Sequence, residues 1–272
     1  MKIEAYAKIN LTLEVFAKRV DGYHALRSVV LPVSLGDTLE IVPASTLSSD
    51  AGYDDDLCVK AAKVLDPTRG AAIHVEKRIP VGGGLGGGSA DAAATLIALN
   101  ELWQLGKSRK ELAEIAVQVG SDVPALTLGG AVLMEGRGEC VSTLPIEISE
   151  LNFVLVNPKI HSSTKAVYAN CSPRALLGNE SATVKMIEAL AIDDLEAIAA
   201  AMVNDLQPSA IGLYPEIAEA MNALRSAGAI GVMMSGSGST VFGLVPDQST
   251  AEKISREMFF QGYRAWAVKS MI

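Results

Sequence analysis

Residues 73–103 constrain the fold more than any other stretch of this chain. Ile73 to Ile79 alternates apolar and polar side chains as a strand does. Pro80, Val81, Gly82, Gly83, Gly84, Leu85, Gly86, Gly87, Gly88, Ser89 and Ala90 follow at once, and Ala92, Leu96, Leu99 and Trp103 then recur at the spacing of one helix face. A flexible glycine linker needs no leucine at its centre, no strand before it and no amphipathic helix after it. Glycine permits positive φ and removes the Cβ atoms that hold a ligand off the backbone. The first N–H groups of a helix lack intrahelical partners and sit at the positive end of its dipole. A strand, a glycine loop and a helix start in series therefore predict a nest of donors for a polyphosphate. Ser89 stands where it can give its hydroxyl to a phosphate, ligate a metal held by one, or serve as the helix N-cap. The loop has neither the Gly-Lys-Ser/Thr ending of a Walker loop nor the dinucleotide fingerprint.

The 272 residues suffice for one large domain or two ordinary ones, and a change of character near residue 150 divides the chain into 1–150 and 151–272. A chain of this length buries roughly 70–75% of its unfolded surface and needs no disulfide or structural metal to fold. Cys58, Cys140 and Cys171 are odd in number and widely spaced, which fits a reducing compartment and no catalytic role. A formal charge of −8 disfavours a nucleic-acid partner. With no apolar run of membrane-spanning length and no leader-like start, a soluble cytoplasmic protein is expected.

Strands are expected over 2–16, with Leu11, Leu13 and Val15 on one side, and over 28–42 as a pair broken at Pro32 and at Leu35-Gly36-Asp37. A polar acidic loop spans 44–56 and a helix 57–65. Ser108 and Glu111 form a capping box for a helix that Gly120 closes. Strands at 131–142 and 152–156, helices over 181–203 and 215–227, and a strand–turn–strand at 230–245 follow. Ser249 and Glu252 cap a last helix to Phe260, and a strand runs from Tyr263 to Val268. The mixed order favours α+β over a regular parallel sheet.

Several residues have chemistry beyond the loop. Lys8 and Asn10 share one face of the first strand, which is either an exposed face or an unusually polar patch among apolar neighbours. Asp122, in Gly-Ser-Asp-Val-Pro, reads on spacing alone as an N-cap. Tyr23 and His24 follow the turn signal Asp21-Gly22 and fit either a loop anchor or a pair that stacks on and hydrogen-bonds a base. Met234 to Thr240 is a second small-residue turn. Lys77, Arg78, Lys8, Lys18 and Arg19 could supply local positive charge to an anion pocket, though each singly reads first as solvated surface.

In order and spacing, Ala7 to Leu11, Asp21 to His24, Gly36-Asp37, Pro80 to Ala94, Gly120 to Pro124 and Met234 to Gly238 together resemble the GHMP small-molecule kinases, and within them the branch serving the non-mevalonate isoprenoid pathway. The resemblance spans nearly the whole chain. It implies an α+β fold of two domains, the first like the second domain of ribosomal protein S5 and the second ferredoxin-like, with the site between them. It implies transfer of the ATP γ-phosphoryl group, with Mg²⁺, to the 2-hydroxyl of 4-diphosphocytidyl-2-C-methyl-D-erythritol. Carried over by position, Asp122 is the catalytic aspartate and Lys8 its partner. Residues 80–90 are the ATP phosphate loop. Asn10, Tyr23, His24, Thr164 and Tyr168 are substrate contacts, the last closing over the cytosine. The family commonly carries two serines after the glycines. Here Ala90 follows Ser89, leaving one hydroxyl fewer.

Overall fold

A computed structural model describes residues 1–52, 56–174 and 181–271. Part of the acidic loop expected over 44–56 lies outside the described residues. The first half of the chain forms β1 (Lys2–Asn10), β2 (Thr12–Lys18), β3 (His24–Pro43), β4 (Ser48–Ser49), α1 (Leu57–Leu65), β5 (Ala71–Glu76), α2 (Gly87–Leu102), α3 (Arg109–Ala116), α4 (Val123–Leu128), β6 (Val132–Gly136) and β7 (Cys140–Thr143). The second half forms β8 (Asn152–Asn157), α5 (Thr164–Ala169), α6 (Ala182–Ala191), α7 (Leu195–Ala201), β9 (Val203–Asn204), α8 (Gln207–Leu213), α9 (Glu216–Ser226), β10 (Gly231–Met234), β11 (Val241–Val245), α10 (Gln248–Phe260) and β12 (Arg264–Lys269).

β3 organises the larger sheet. One edge takes β2 and then β1, and the other takes β6 and then β5. The expected break within 28–42 is absent: β3 runs unbroken through Pro32 and Gly36. The proline is tolerated because its carbonyl faces an edge met only by the chain end, where it accepts the Met271 N–H at 2.9 Å. Gly36 lies flat against β1, where an added Cβ would stand 3.2 Å from the Tyr6 ring. Asp37 is fully buried and accepts backbone N–H groups from Arg78 and Ile79 instead of making a turn.

The strand expected over 2–16 divides at Leu11 into β1 and β2, and the expected single face divides with it. Leu11 joins one core cluster, with Phe153, Leu155 and Phe242, whereas Leu13 and Val15 join another, with Val154, Val156 and Val241. Thr12 and Glu14, between them, are buried as well. The second sheet is antiparallel, in the order β10-β11-β8-β12, with Phe153 and Phe242 meeting edge to face at 5.8 Å in its interior. Fully burying such a side chain stabilises the fold by about 1.5–3 kcal/mol. β9 pairs with β2, and Ser270, after β12, pairs with Val33, so both sheets are tied through backbone bonds.

The helices begin largely where the sequence places them. Asp56 caps α1, and Ser108 with Glu111 makes the capping box of α3. Ile217, Met221 and Leu224 face inward on α9, as their spacing predicts. Three details differ. Gly120 does not close α3, which ends at Ala116. The α10 cap is Asp247, whose carboxylate accepts the Thr250 N–H and also holds Ser249. And α2 is buried nearly all round, with Ala92 and Leu96 in one cluster and Leu99 and Trp103 in another, because helices pack over one side of it and the sheet under the other. Among the described residues no helix is long and apolar enough to cross a membrane.

Candidate active site

The glycine loop is held at its centre. Leu85 is fully buried, and its carbonyl accepts the Lys8 N–H at 2.9 Å, so β1 and the loop are joined by a backbone bond. The second half of the chain grips the loop from the other side. Thr240 donates its N–H to the Gly83 carbonyl at 3.0 Å, and Ser235 Oγ donates to the Gly84 carbonyl at 3.0 Å. Gly82, Gly84 and Gly86 all have positive φ. At Gly84 the absence of a Cβ is also steric, since one would collide with the Ser235 carbonyl and Gly238. The imidazole of His161 occupies the place where a Cβ on Gly82 would go.

With its carbonyls turned inward, the loop presents its donors outward. Among the described residues, the N–H groups of Gly84 through Ser89 meet no acceptor. α2 starts at Gly87 from a left-handed Gly86 with no side-chain cap. Ser89 is therefore in the first helical turn rather than at the N-cap, and its hydroxyl stands beside these free donors. Ala90 is buried in the core.

Lys8, Asn10 and Asp122 come together at the loop's edge. Lys8 and Asn10 are buried, at 4% and 1% exposure, which removes the exposed-face alternative. Lys8 Nζ donates to Asn10 Oδ1 at 2.6 Å and lies 3.6 Å from Asp122 Oδ2. Asn10 Nδ2 donates to Ser28 Oγ at 2.8 Å, and Ser28 donates to the Thr12 carbonyl at 2.5 Å. This chain fixes the Asn10 amide with its oxygen toward the lysine. Asp122 occupies the N-cap position of α4 as its spacing predicts, yet its side chain makes no capping bond. It turns to Lys8 and is one-third exposed. The turn after β10 also reaches this point: a Cβ on Gly236 would lie 3.3 Å from Lys8 Nζ. Asn204 holds that turn through the Met234 and Gly236 carbonyls, each at 2.8 Å.

The remaining predicted contacts lie along one side. Thr164 Oγ1 and Ser237 Oγ are 2.8 Å apart, which places the start of α5 on the same turn. One helical turn on, Tyr168 tilts against His24 with ring centroids 6.0 Å apart. Burial raises the Tyr168 phenol above its ordinary pKa, and the nearby Asp122 charge raises it further. His24 Nδ1 is 2.8 Å from the Phe16 carbonyl. Tyr23 is 59% exposed on the rim, with the Arg137 guanidinium 5.3 Å from its ring centre.

Sequence patterns missed a buried charge cluster behind the loop. Lys77 is not solvated surface: its ammonium bridges the buried carboxylates of Asp37 and Asp91, the latter at 2.6 Å. Burial alone would lower the Lys77 pKa, but the two carboxylates outweigh it and the net shift is upward. Asp91 is pushed up to about 7 by burial, with Lys77 opposing and Asp37 adding to the rise. Asp91 Oδ1 has no hydrogen-bond partner among the described residues. The cluster joins β3, the entry to the loop and the first turns of α2. Gly36-Asp37 was visible as a motif, but a lone aspartate after a glycine reads as a turn, and only the fold shows what faces it. Cys58, next to this cluster, is buried with its thiol pushed up to about 12, consistent with an inert cysteine.

Residues 56–130 match the profile of the GHMP kinases N terminal domain, and residues 186–264 that of the GHMP kinases C terminal region. A 4-diphosphocytidyl-2-C-methyl-D-erythritol kinase of Symbiobacterium thermophilum is 38% identical, covering 100% of both chains. The chain belongs to the 4-diphosphocytidyl-2-C-methyl-D-erythritol kinase family of the GHMP kinases. A crystal structure of a 4-(cytidine 5'-diphospho)-2C-methyl-D-erythritol kinase superposes with a TM-score of 0.84 at 35% identity, covering 99% of each chain. A homoserine kinase from Cytophaga hutchinsonii shares the fold, with a TM-score of 0.77 at 20% identity over 100% of this chain and 94% of its own. The α+β architecture is thus the two-domain GHMP kinase fold.

Proposed function

We propose that this kinase transfers the γ-phosphoryl group of ATP to the 2-hydroxyl of 4-diphosphocytidyl-2-C-methyl-D-erythritol, with residues 1–150 and 151–272 as its two domains. The observation that carries this is the Lys8–Asp122 pair set at the edge of a loop whose successive N–H groups have no other partner. Phosphoryl transfer requires mainly positioning and charge neutralisation. The N–H groups of Gly84 through Ser89 would hold the nucleotide phosphates at the positive end of α2. Pro80, Val81, Gly82 and Gly83 would shape the approach to them.

Among the described residues no cluster of three or more His, Cys, Asp or Glu side chains is able to hold a metal. Mg²⁺ would arrive with the nucleotide, taking most of its oxygens from phosphates and water and only one or two from protein. Ser89 Oγ is the protein oxygen available for it at the loop, and the ion would supply neutralisation of phosphate charge. Asp122 would accept a hydrogen bond from the acceptor hydroxyl and aim its oxygen at the phosphorus, a contribution of about 10²–10⁴-fold. Lys8, oriented by Asn10, would stabilise negative charge on the transferred group. His24 and Tyr168 would clasp the cytosine, with Tyr23 at the rim and Thr164 toward the phosphates.

The test is ADP release with four acceptors: 4-diphosphocytidyl-2-C-methyl-D-erythritol, homoserine, mevalonate and galactose. Turnover is expected with the first alone. Asp122→Asn and Lys8→Ala should each lower kcat by at least about 10²-fold. Turnover of a different acceptor would overturn the substrate assignment, and near-normal rates in either variant would overturn that residue's role.

A further inference from the structure

The hairpin turn between β6 and β7 lies between two parts of the site that the proposed chemistry keeps apart. On one side Gly138 is packed against Ser121, where a Cβ would meet the Ser121 carbonyl at 2.9 Å, so the turn abuts the residue preceding Asp122. On the other side Arg137 covers one face of Tyr23. Register fixes both contacts, since Gly136 pairs with Leu26 on β3, two residues after His24. An acceptor with its base at His24 and Tyr168 and its hydroxyl at Asp122 must carry its diphosphate across this span.

Arg137 is the cation on the turn; it makes a long ion pair with Glu139 and, after the Tyr23 N–H and Arg19, helps to lower the pKa of the nearby Asp21 carboxyl. Its Nε is 3.8 Å from Glu139 Oε1, beyond hydrogen-bond length, and its side chain makes no hydrogen bond among the described residues. The Glu139 carboxylate is shared: it accepts the Arg137 backbone N–H and lies 3.9 Å from Arg19 Nη1. A guanidinium stacked on an aromatic ring uses its flat face and leaves the N–H groups along its edge for a planar, bidentate anion contact. Its side chain is 38% exposed, so it is reachable from solvent without unfolding the turn.

We propose that Arg137 binds the diphosphate of the cytidine-bearing acceptor, making it a specificity-determining residue for that substrate; the proposal rests on the acceptor assignment made above. Set over the Tyr23 ring, the guanidinium directs N–H groups to the phosphate oxygens while the ring keeps its other face for contacts with the nucleoside.

The experiment measures binding of CDP and of cytidine to the full chain by calorimetry, and the KM values for both substrates, in wild type, Arg137→Met and Arg137→Lys. Arg137→Met should weaken CDP about tenfold or more while changing cytidine less than about twofold, as expected for loss of a charge-assisted contact to phosphate. KM for the acceptor should rise and KM for ATP should stay. Arg137→Lys, a point charge without the planar fork, should fall between. Equal losses for CDP and cytidine, or an unchanged CDP affinity in a wild type that does phosphorylate the acceptor, would overturn this proposal alone. A wild type that phosphorylates only homoserine, mevalonate or galactose would overturn the acceptor assignment and this proposal with it.

Discussion

Lys77→Met tests whether the buried charge cluster behind the glycine loop supports the fold. Methionine keeps much of the stem's packing and removes only the cation. Asp37 and Asp91, at 0% and 1% exposure, would then face each other with no counter-charge. Removing one partner of a buried ion pair costs about 3–5 kcal/mol. Against a total stability of roughly 5–15 kcal/mol, that is a large share. At about 2–4 °C per kcal/mol for a chain of this size, the melting temperature should fall by about 6–20 °C.

The size of the fall should depend on pH. The Asp91 carboxyl is already pushed up to about 7 in the folded protein, above its unfolded value of about 3.9. An acid whose folded pKa is raised binds its proton more tightly when folded. Its burial therefore weighs against the fold above the folded pKa, and acidification through the window from about 7 to about 4 relieves it. Lys77 opposes that rise, so removing it moves Asp91 further upward. The deficit of Lys77→Met should be largest near pH 8 and shrink toward pH 5, and adding Asp91→Asn should restore part of it. Thermal melts followed by circular dichroism at both pH values decide the matter. A fall of under about 2 °C near pH 8, or a deficit that grows on acidification, would refute the reasoning.

Two further perturbations separate the loop from the joint between the sheets. Gly84→Ala combines a backbone at φ +76° with a collision at the Ser235 carbonyl, so kcat/KM for ATP should fall about 10²-fold through misplaced donors. Gly262→Ala, at φ +95° with open space around it, is the control and should leave kinetics unchanged. Glu14 accepts from Ser181, Ala182 and Thr183 at the start of α6 and pairs with Arg174. Burial pushes its carboxyl up, but the bonds from Ser181, Thr183 and Ala182 outweigh it and hold the pKa below the usual range. Its contribution is present above the unfolded value of about 4.3 and is lost as pH falls through the lower folded value. Glu14→Gln should cost about 1.5–3 kcal/mol by urea unfolding at pH 7, with the difference from wild type narrowing below pH 4.

Much of the fold was readable in local pattern. The capping box at Ser108, the inward face of α9 and the strand–loop–helix around Leu85 depend on neighbours within a few residues, and the structure has them where the sequence puts them. Pattern failed where a distant partner decided the outcome. Pro32 and Gly36 look like breaks until β1 and the chain end are seen alongside β3. Leu11, Leu13 and Val15 alternate as one face, but the chain turns at Leu11 and sends them into two cores.

The candidate site divides the same way. The sequence by itself determined that a donor-rich glycine loop lies at a helix start, because glycine content, strand periodicity and helix periodicity are local properties. It also supplied Lys8, Asn10 and Asp122 as residue types, with an N-cap the preferred reading of Asp122 on spacing and an exposed strand face a plausible one for Lys8 and Asn10. Only the tertiary structure decided between these alternatives, by burying Lys8 and Asn10 and turning Asp122 away from its cap toward a lysine more than a hundred residues earlier in the chain. The same long-range packing made Lys77 a buried bridge and set Arg137 on Tyr23. A charge's role is fixed by what faces it and by how much water remains, and neither is carried by sequence spacing.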